Sequence, residues 1–315
     1  MKPKNPDREG RIPTVGFHES TNRTICVYLL CAFVNETSQV FWYRRACGTD
    51  GAGVPEAWKS GEEYESLMGR WSRLLAPRFL EWARPPLDKE ILDVGCGTGA
   101  LSDALLHRGA QAVVGVDPSP RYIEFASARL GGRGHASFKV GNAMDLPFSN
   151  GRFGAVVSNL VLNFVPDPLR AAREMRRVVH AGGAVAACVW DYAGRMEMLR
   201  NFWDAAVALD PDARNLTEGA RFSICNPENL AKLFRETDLS EVEVTNVDLP
   251  MRFANFEDYW RPFLGGQGPA GGYTMSLSEE RRKDLRELLR SRLRPHDDGT
   301  IALTARAWAV RGIQD

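Results

Sequence analysis

The chain has 315 residues, of which 44% are hydrophobic and 25% are charged, as in ordinary soluble globular proteins. Its 40 basic and 40 acidic side chains leave no formal net charge, so charge gives no reason to expect a nucleic-acid or membrane-surface partner. Six cysteines without a CxxC pair and five scattered histidines predict neither a disulfide framework nor a metal site, and we expect a reducing, cytoplasmic compartment.

Residues 1–55 show no sustained hydrophobic periodicity and are predicted to be an extension outside the main domain, which then covers residues 56–315. The extension contains one apolar run, TICVYLLCAFV, which is too short to span a bilayer. The run lies far from the N-terminus, and no small-residue cleavage site follows it. We therefore expect an additional strand or a poorly ordered segment, and neither a signal peptide nor an anchor.

The central part of the chain begins with a helix and continues with alternating strands and helices. In residues 62–83 apolar side chains recur every three or four positions, which predicts a helix that ends before Pro85 and Pro86. The predicted strands that follow are EILDVG, AVVGVD, ASFKVGNA, FGAVVSNLVL and GGAVAACVWD. The predicted helices between them are GALSDALLHRG, SPRYIEFASARLGG and DPLRAAREMRRVV. Such alternation is typical of a parallel sheet covered by helices, with ligand loops at the carboxyl ends of the strands.

The pattern changes after Asp191. Helices are predicted in MEMLRNFWDAAVALD, NPENLAKLFRETDL and SLSEERRKDLRELLRSRL, and strands in EVEVTNVDLPMRF and GTIALTARAWAVRG. Residues 254–298, between the last two strands, predict a helical insertion. The insertion carries Phe256, Tyr259, Trp260, Arg261, Phe263 and Tyr273. These side chains either line an acceptor pocket or pack the insertion onto the sheet, and the neighbouring GGQGPAGG predicts a hinged lid.

Three glycines occupy alternate positions in ILDVGCGTGALS, between a predicted strand and a predicted helix. Such a turn lets the backbone approach a ligand closely. The GxGxG spacing differs from the GxGxxG of dinucleotide enzymes, and Asp93 suits a cationic ligand group, such as an ammonium, better than a pyrophosphate. Asp117, at the tip of the next strand, suits a ribose diol. Each feature has an alternative explanation. The three glycines can form only a tight turn, Asp93 can accept hydrogen bonds from loop amides, and Asp117 can cap a helix.

Five segments, LDVGCGTG, VVGVDPS, GNAMDLPF, FGAVVSNLVLNFVPDP and RVVHAGGAVAACVWD, stand in the order found in class I S-adenosylmethionine-dependent methyltransferases. The chain resembles most the small-molecule branch, often called type 11, over residues 64–312. The resemblance implies an α/β fold with a Rossmann-like, doubly wound seven-stranded sheet whose last strand is antiparallel. It also implies S-adenosyl-L-methionine as cofactor and a small-molecule acceptor of the methyl group.

The resemblance also implies the residues that contact the cofactor. Those assigned to its methionine and ribose parts are Asp93, Gly95, Gly97, Gly99, Asp117, Ser158 and Asn159. Those assigned to adenine are Pro118, Ser119, Asn142 and Ala143. Relatives usually carry Asp where Asn142 stands, but its amide can still accept from and donate to the adenine edge.

The helix of residues 62–83 covers the cofactor in related enzymes, which brings Tyr64 and Arg70 into the implied site. Arg70 either pairs with the methionine carboxylate or is a solvated surface arginine. Cys96 is expected to be a packing residue, because no histidine near it in the sequence would activate its thiol.

The implied reaction is in-line displacement of the cofactor's methyl group, and no catalytic residue is assigned. The absence of an Asn-Pro-Pro-Tyr type motif leaves oxygen, carbon, sulfur or small-amine acceptors. Two other functions stay open: a non-catalytic S-adenosylmethionine-binding protein and a nicotinamide-dependent oxidoreductase.

Overall fold

The structure is a computed structural model and describes residues 65–133 and 135–315. Tyr64 and the extension of residues 1–55, with its apolar run, lie outside the described residues. The predictions made for them therefore stay predictions.

Seven strands form one sheet in the order β3-β2-β1-β4-β5-β7-β6. They are β1 (Glu90–Val94), β2 (Ala112–Asp117), β3 (Ala136–Val140), β4 (Phe153–Asn159), β5 (Val179–Trp190), β6 (Ser240–Phe253) and β7 (Ile301–Ile313). The first five strands pair in parallel, whereas β7 is antiparallel to both of its neighbours. This arrangement confirms the predicted doubly wound sheet with an antiparallel last strand.

The ten α-helices of the described residues are α1 (Arg70–Ala83), α2 (Ala100–His107), α3 (Pro120–Leu130), α4 (Pro168–Val178), α5 (Glu197–Leu209), α6 (Glu218–Arg221), α7 (Pro227–Arg235), α8 (Phe256–Trp260), α9 (Gly268–Ser276) and α10 (Glu279–Arg292). A π-helical turn, Glu65–Gly69, leads into α1. Local sequence sets several helix starts. The Ser119 hydroxyl accepts the Tyr122 N–H at the start of α3, and the Asp167 carboxylate accepts the Arg170 N–H at the start of α4. In the described residues no helix combines the length and apolar character needed to cross a bilayer.

The strand order places a ligand crevice between β1 and β4. From β1 the chain proceeds through β2 to β3 on one side, and β4 then returns to the other side of β1. In open α/β sheets a ligand binds at such a switch point, outside the carboxyl ends of the strands. The side chains of Ile91, Leu92 and Val156 are completely buried, as expected for a parallel sheet covered on both faces. These strands therefore form a rigid base for the loops above them.

The insertion packs against α5 as part of the core. The phenol of Tyr259 is buried and donates a 2.9 Å hydrogen bond to the carbonyl of Met198, and the ring of Phe263 stacks on Phe202 at 4.6 Å. The second half of the glycine-rich GGQGPAGG lies in the helix Gly268–Ser276, where its glycines are buried. Gly265 and Gly266 lie outside this helix, and Gly266 has a positive φ of 68°, so the hinged lid stays a prediction. The packing interpretation is correct for these aromatic side chains, because large apolar rings find their burial against the helix after β5.

Candidate functional site

The three glycines of the turn after β1 all have positive φ angles, of 72°, 51° and 86° for Gly95, Gly97 and Gly99. A Cβ atom on Gly95 would collide with Val161, and one on Gly99 would lie 2.8 Å from Leu130. A Cβ atom on Gly97 would have no protein atom within 4 Å. Packing within the protein therefore requires two of these glycines, whereas Gly97 exposes its backbone to open space, where a ligand can approach.

Asp93 lies on β1, below the glycine turn, and is completely buried. Its Oδ2 accepts a 2.7 Å hydrogen bond from the Ser102 hydroxyl on α2, whereas its Oδ1 has no hydrogen-bond partner in the described part of the chain. Burial raises the pKa of Asp93 to about 7, because the hydrogen bonding from Ser102 offsets only part of the lost hydration. A cationic group at Oδ1 would supply the missing partner and favour the carboxylate.

Asp117, at the end of β2, holds the glycine turn in place. Its Oδ2 accepts the Gly97 N–H at 3.0 Å, and its Oδ1 accepts the Ser119 N–H at 2.9 Å. Burial raises the pKa of this carboxyl above its usual range. Each carboxylate oxygen has two acceptor sites, so Asp117 can hold the turn and still accept from a hydroxyl.

The predicted residues beyond β2 are held by local contacts at the same edge of the sheet. The Gly141 N–H bonds to the Asp117 carbonyl at 3.1 Å, which brings the end of β3 beside the end of β2. The Asn142 Oδ1 accepts the Met144 N–H at 2.9 Å, and the rest of this amide is exposed. Next to it Ala143 is buried, and Pro118 is exposed beside Asp117. Pro118, Asn142 and Ala143 therefore adjoin the carboxyl end of β2, as does Ser119, whose N–H bonds to the Asp117 carboxylate.

Ser158 and Asn159 lie at the end of β4, on the other side of β1. The Ser158 hydroxyl is buried and donates a 2.9 Å hydrogen bond to the carbonyl of Val94. The Asn159 Oδ1 accepts from the Cys188 thiol at 2.9 Å. Ser158 thus connects β4 to β1, whereas no hydrogen bond from the Nδ2 of half-buried Asn159 is formed within the described residues.

No hydrogen bond or ion pair within the described residues joins Arg70 to the glycine turn. Its guanidinium pairs with Asp258 of the insertion at 2.9 Å and lies over the rings of Trp71 and Phe253 at 4.1 and 4.8 Å. The side chain is half-buried, and its Nε and Nη2 have no hydrogen-bond partner in the described residues. Arg70 therefore connects α1 to the insertion in this structure and is not a solvated surface arginine.

Glu65 contacts the glycine turn, and the sequence did not indicate it. Its carboxylate accepts a 2.5 Å hydrogen bond from the hydroxyl of Thr98, between Gly97 and Gly99, and also pairs with Arg73. The π-helical turn that precedes α1 therefore lies against the ligand-facing loop. No spacing rule connects position 65 with position 98, so only the three-dimensional structure could show this contact.

Cys96 is a buried packing residue in this structure. The Cys96 thiol is buried, which raises its pKa, and it lies directly beneath Gly115. The described residues contain no group of three or more metal-ligating side chains.

A cavity of about 200 Å³ lies among α5, α9 and α10. Its lining includes Leu209, Tyr273 and Leu285 but none of the residues predicted to contact the cofactor.

Comparison with known proteins places these features in a family. A family model described as a methyltransferase domain matches residues 92–187. The chain is 29% identical over 185 residues to 2-methyl-6-phytyl-1,4-hydroquinone methyltransferase of Synechocystis sp., which covers 58% of this chain and 57% of that protein. It is 30% identical over 170 residues to demethylmenaquinone methyltransferase of Alkalihalophilus pseudofirmus, which covers 49% of this chain and 71% of that protein.

Solved structures agree on the fold. The phosphoethanolamine N-methyltransferase 2 of Haemonchus contortus, solved in complex with S-adenosyl-L-methionine, superposes with a TM-score of 0.51 at 17% identity. The superposition covers 81% of this chain and 56% of that one. At this identity the likeness concerns the fold alone.

The residues of the glycine turn fit an adenosyl-amino-acid cofactor on three observations. The unpartnered Asp93 Oδ1 suits an ammonium group, the open space at Gly97 admits a ligand against the backbone, and the Asp117 carboxylate has acceptor capacity for hydroxyl groups. Together with the seven-stranded sheet and the two curated relatives, they show that the chain belongs to the class I S-adenosylmethionine-dependent methyltransferases.

Proposed function

We propose that this protein transfers the methyl group of S-adenosyl-L-methionine to a small-molecule acceptor by in-line displacement. One observation at the glycine turn carries the proposal. The buried Oδ1 of Asp93 has no hydrogen-bond partner in the described residues, and four residues later the backbone of Gly97 is open to a ligand. A dinucleotide pyrophosphate would meet the carboxylate of Asp93 unfavourably, whereas an amino-acid ammonium would pair with it.

The proposed cofactor contacts follow the order of the strand ends. Asp93 accepts from the ammonium group, Gly97 lets the backbone approach, and Asp117 accepts from the ribose hydroxyls. In this proposal adenine lies beyond the carboxyl end of β2. It contacts the residues there, which are Pro118, Ser119, Asn142 and Ala143. Asn159 and Arg70 are proposed for the methionine part, and for Arg70 this requires its guanidinium to use the two nitrogens that now lack partners.

Bound S-adenosyl-L-methionine supplies a methyl group that its sulfonium already makes electrophilic. The protein's own task is to hold the acceptor in line with that methyl group and to keep water out. Positioning of this kind can lower a reaction barrier by roughly 7–11 kcal/mol. The switch point beside the ends of β1 and β4 is where the acceptor meets the methyl group, because the crevice opens there.

Two facts support a small acceptor. The curated relatives described above are named for methylation of a hydroquinone and of a demethylmenaquinone. The formal net charge of zero offers no electrostatic attraction for a nucleic acid. The matched region spans 57% of the first of these relatives, so the acceptor of this chain is part of the proposal.

Calorimetric titration of the full chain with S-adenosylmethionine, S-adenosylhomocysteine and NAD tests the proposal. We expect binding of the first two and none of NAD, followed by release of S-adenosylhomocysteine when a metabolite extract is added. Binding of NAD alone would favour an oxidoreductase. Tight binding of S-adenosylmethionine with no turnover on any extract would favour a non-catalytic binding protein.

A further inference from the structure

The turn after β4, the 3₁₀ helix Leu162–Phe164, carries an amide that the described part of the chain does not satisfy. The side chain of Asn163 is 9% exposed, and neither its Oδ1 nor its Nδ2 has a hydrogen-bond partner there. Most buried side-chain amides are hydrogen-bonded, so two unpartnered atoms on one side chain call for a ligand or another explanation.

This turn lies at the switch point of the sheet. The Leu160 N–H bonds to the Cys188 carbonyl of β5 at 2.8 Å, and Leu160 has a positive φ of 65° that redirects the chain. The side chain of Val161 fills the space above Gly95, at the end of β1. Asn163 follows Val161 by two residues, on the segment that leaves the carboxyl end of β4, the edge of the sheet at which a methyl acceptor enters in the proposed function.

The residue after Asn163, Phe164, belongs to a cluster of three aromatic rings. The ring of Phe164 meets that of Phe222 edge to face at 5.0 Å, and Phe222 meets Tyr192, just after β5, at 5.7 Å. Phe164 and Phe222 are half-buried residues. Aromatic side chains with one polar group among them are typical of a site for a small apolar ligand.

We propose that Asn163 selects the acceptor, its amide binding a hydroxyl group of an aromatic ring that packs against Phe164, Phe222 and Tyr192. A hydroxyl matches the amide because it accepts from Nδ2–H and donates to Oδ1. Both amide atoms are covered in this structure, so entry of the acceptor requires a movement of neighbouring side chains. The proposal rests on the proposed methyl transfer and adds the acceptor class and the residue that recognises it.

Binding to the full chain saturated with S-adenosylhomocysteine tests this recognition without turnover. The probes are 2-naphthol and 1,4-dihydroxynaphthalene, each beside its methyl ether, which keeps the ring and removes the O–H. We expect the hydroxylated probes to bind at least about tenfold more tightly than the ethers. Asn163→Leu should abolish this preference. The control Asn201→Leu, which alters an amide bonded to its own helix at Glu197, should retain it.

Two readouts separate recognition from a structural role. Asn163→Leu should leave the affinity for S-adenosylhomocysteine unchanged and should not lower the melting temperature, because it removes a buried amide without partners. Asn163→Asp, which keeps an acceptor oxygen and loses the N–H donor, should retain the preference, because the O–H of the hydroxylated probe still donates to it and the ether has no O–H to donate. Equal binding of the hydroxylated probes and their ethers, no binding of any probe, or a preference that survives in Asn163→Leu would overturn the inference. Failure of the wild-type chain to bind S-adenosylhomocysteine would instead overturn the proposed function.

Discussion

The backbone N–H of Gly97 donates a 3.0 Å hydrogen bond to the carboxylate of Asp117, twenty residues later. The same carboxylate accepts the N–H of Ser119, at the start of α3. One side chain therefore connects the glycine turn after β1 with the turn after β2. Because β1 and β2 are neighbouring parallel strands, this connection fixes the shape of the loop pair on which a ribose would lie.

Replacing Asp117 with alanine should weaken S-adenosylmethionine binding by about 1.5–3 kcal/mol, or roughly tenfold to a hundredfold in Kd. The substitution removes a charged acceptor for the ribose and releases the Gly97 N–H. Calorimetric titration measures the affinity, and circular dichroism should be unchanged. The control Asp88→Ala alters an exposed carboxylate before β1 and should bind like the wild type. An unaltered Kd in Asp117→Ala would show that Asp117 does not contact the cofactor.

Gly97→Val should abolish cofactor binding while the domain still folds. The valine side chain would fill the open space beside the turn, and the positive φ of 51° is strained for a β-branched residue. Gly109→Val is a matched control, because Gly109 also has a positive φ, of 88°, and no atom near its virtual Cβ. The two variants should lose similar stability, and only Gly97→Val should lose binding. Binding retained in folded Gly97→Val would contradict a cofactor seat at this glycine.

The contribution of Asp93 to the stability of the ligand-free protein should fall as the pH rises from about 4 to about 7. The folded-state pKa of Asp93, about 7, lies above its ordinary value of 3.8, so the folded state binds the proton more tightly in this window. Its contribution to stability is therefore lost as the pH rises, by at most about 1.4 kcal/mol per pH unit, and levels off above pH 7.

Denaturant unfolding of the wild type and of Asp93→Asn across this pH range isolates the contribution of Asp93, because the other carboxylates titrate in both proteins. The difference in unfolding free energy between the two should vary with pH between about 4 and 7. A constant difference would mean that Asp93 titrates near its ordinary value in the folded protein.

Glu65→Gln should lower the affinity for S-adenosylmethionine about threefold to tenfold, because the charged acceptor of Thr98 orders the turn before the ligand arrives. It also removes the charge that pairs with Arg73. Glu81→Gln, an exposed position on α1, is the control and should change nothing. Tighter binding in Glu65→Gln would show the opposite, that the Glu65 carboxylate occupies space the cofactor needs.

Local patterns predicted the elements that position this site. Alternating apolar runs and helical periodicity indicated every strand of the sheet. These features could be predicted because each depends on residues that are close together in the chain. The same reasoning placed Asp93 and Asp117 at neighbouring strand ends, where the structure has them.

Contacts between distant segments could not be predicted in this way. Arg70 and Asp258 are 188 residues apart, and no local pattern distinguishes them from surface charges. The glycine-rich GGQGPAGG indicated a hinge by composition, yet its second half is buried in a helix, because tertiary packing outweighs a weak local preference. Asn163 looked like any polar residue in a turn until its burial without a partner was known.

The final prediction concerns residues 1–55. A chain that begins at Pro55 should bind S-adenosylmethionine within about twofold of the full chain, because the extension shares no segment with the methyltransferase pattern and shows no periodic apolar face. A chain that begins at Arg70 is the contrasting variant. It lacks Glu65 and the buried Leu67 and Met68, so it should be less stable and bind more weakly. Calorimetric titration and thermal unfolding compare the three chains. A large loss of affinity or solubility in the chain from Pro55 would show that TICVYLLCAFV packs on the domain, and the proposed boundary at residue 56 would then be wrong.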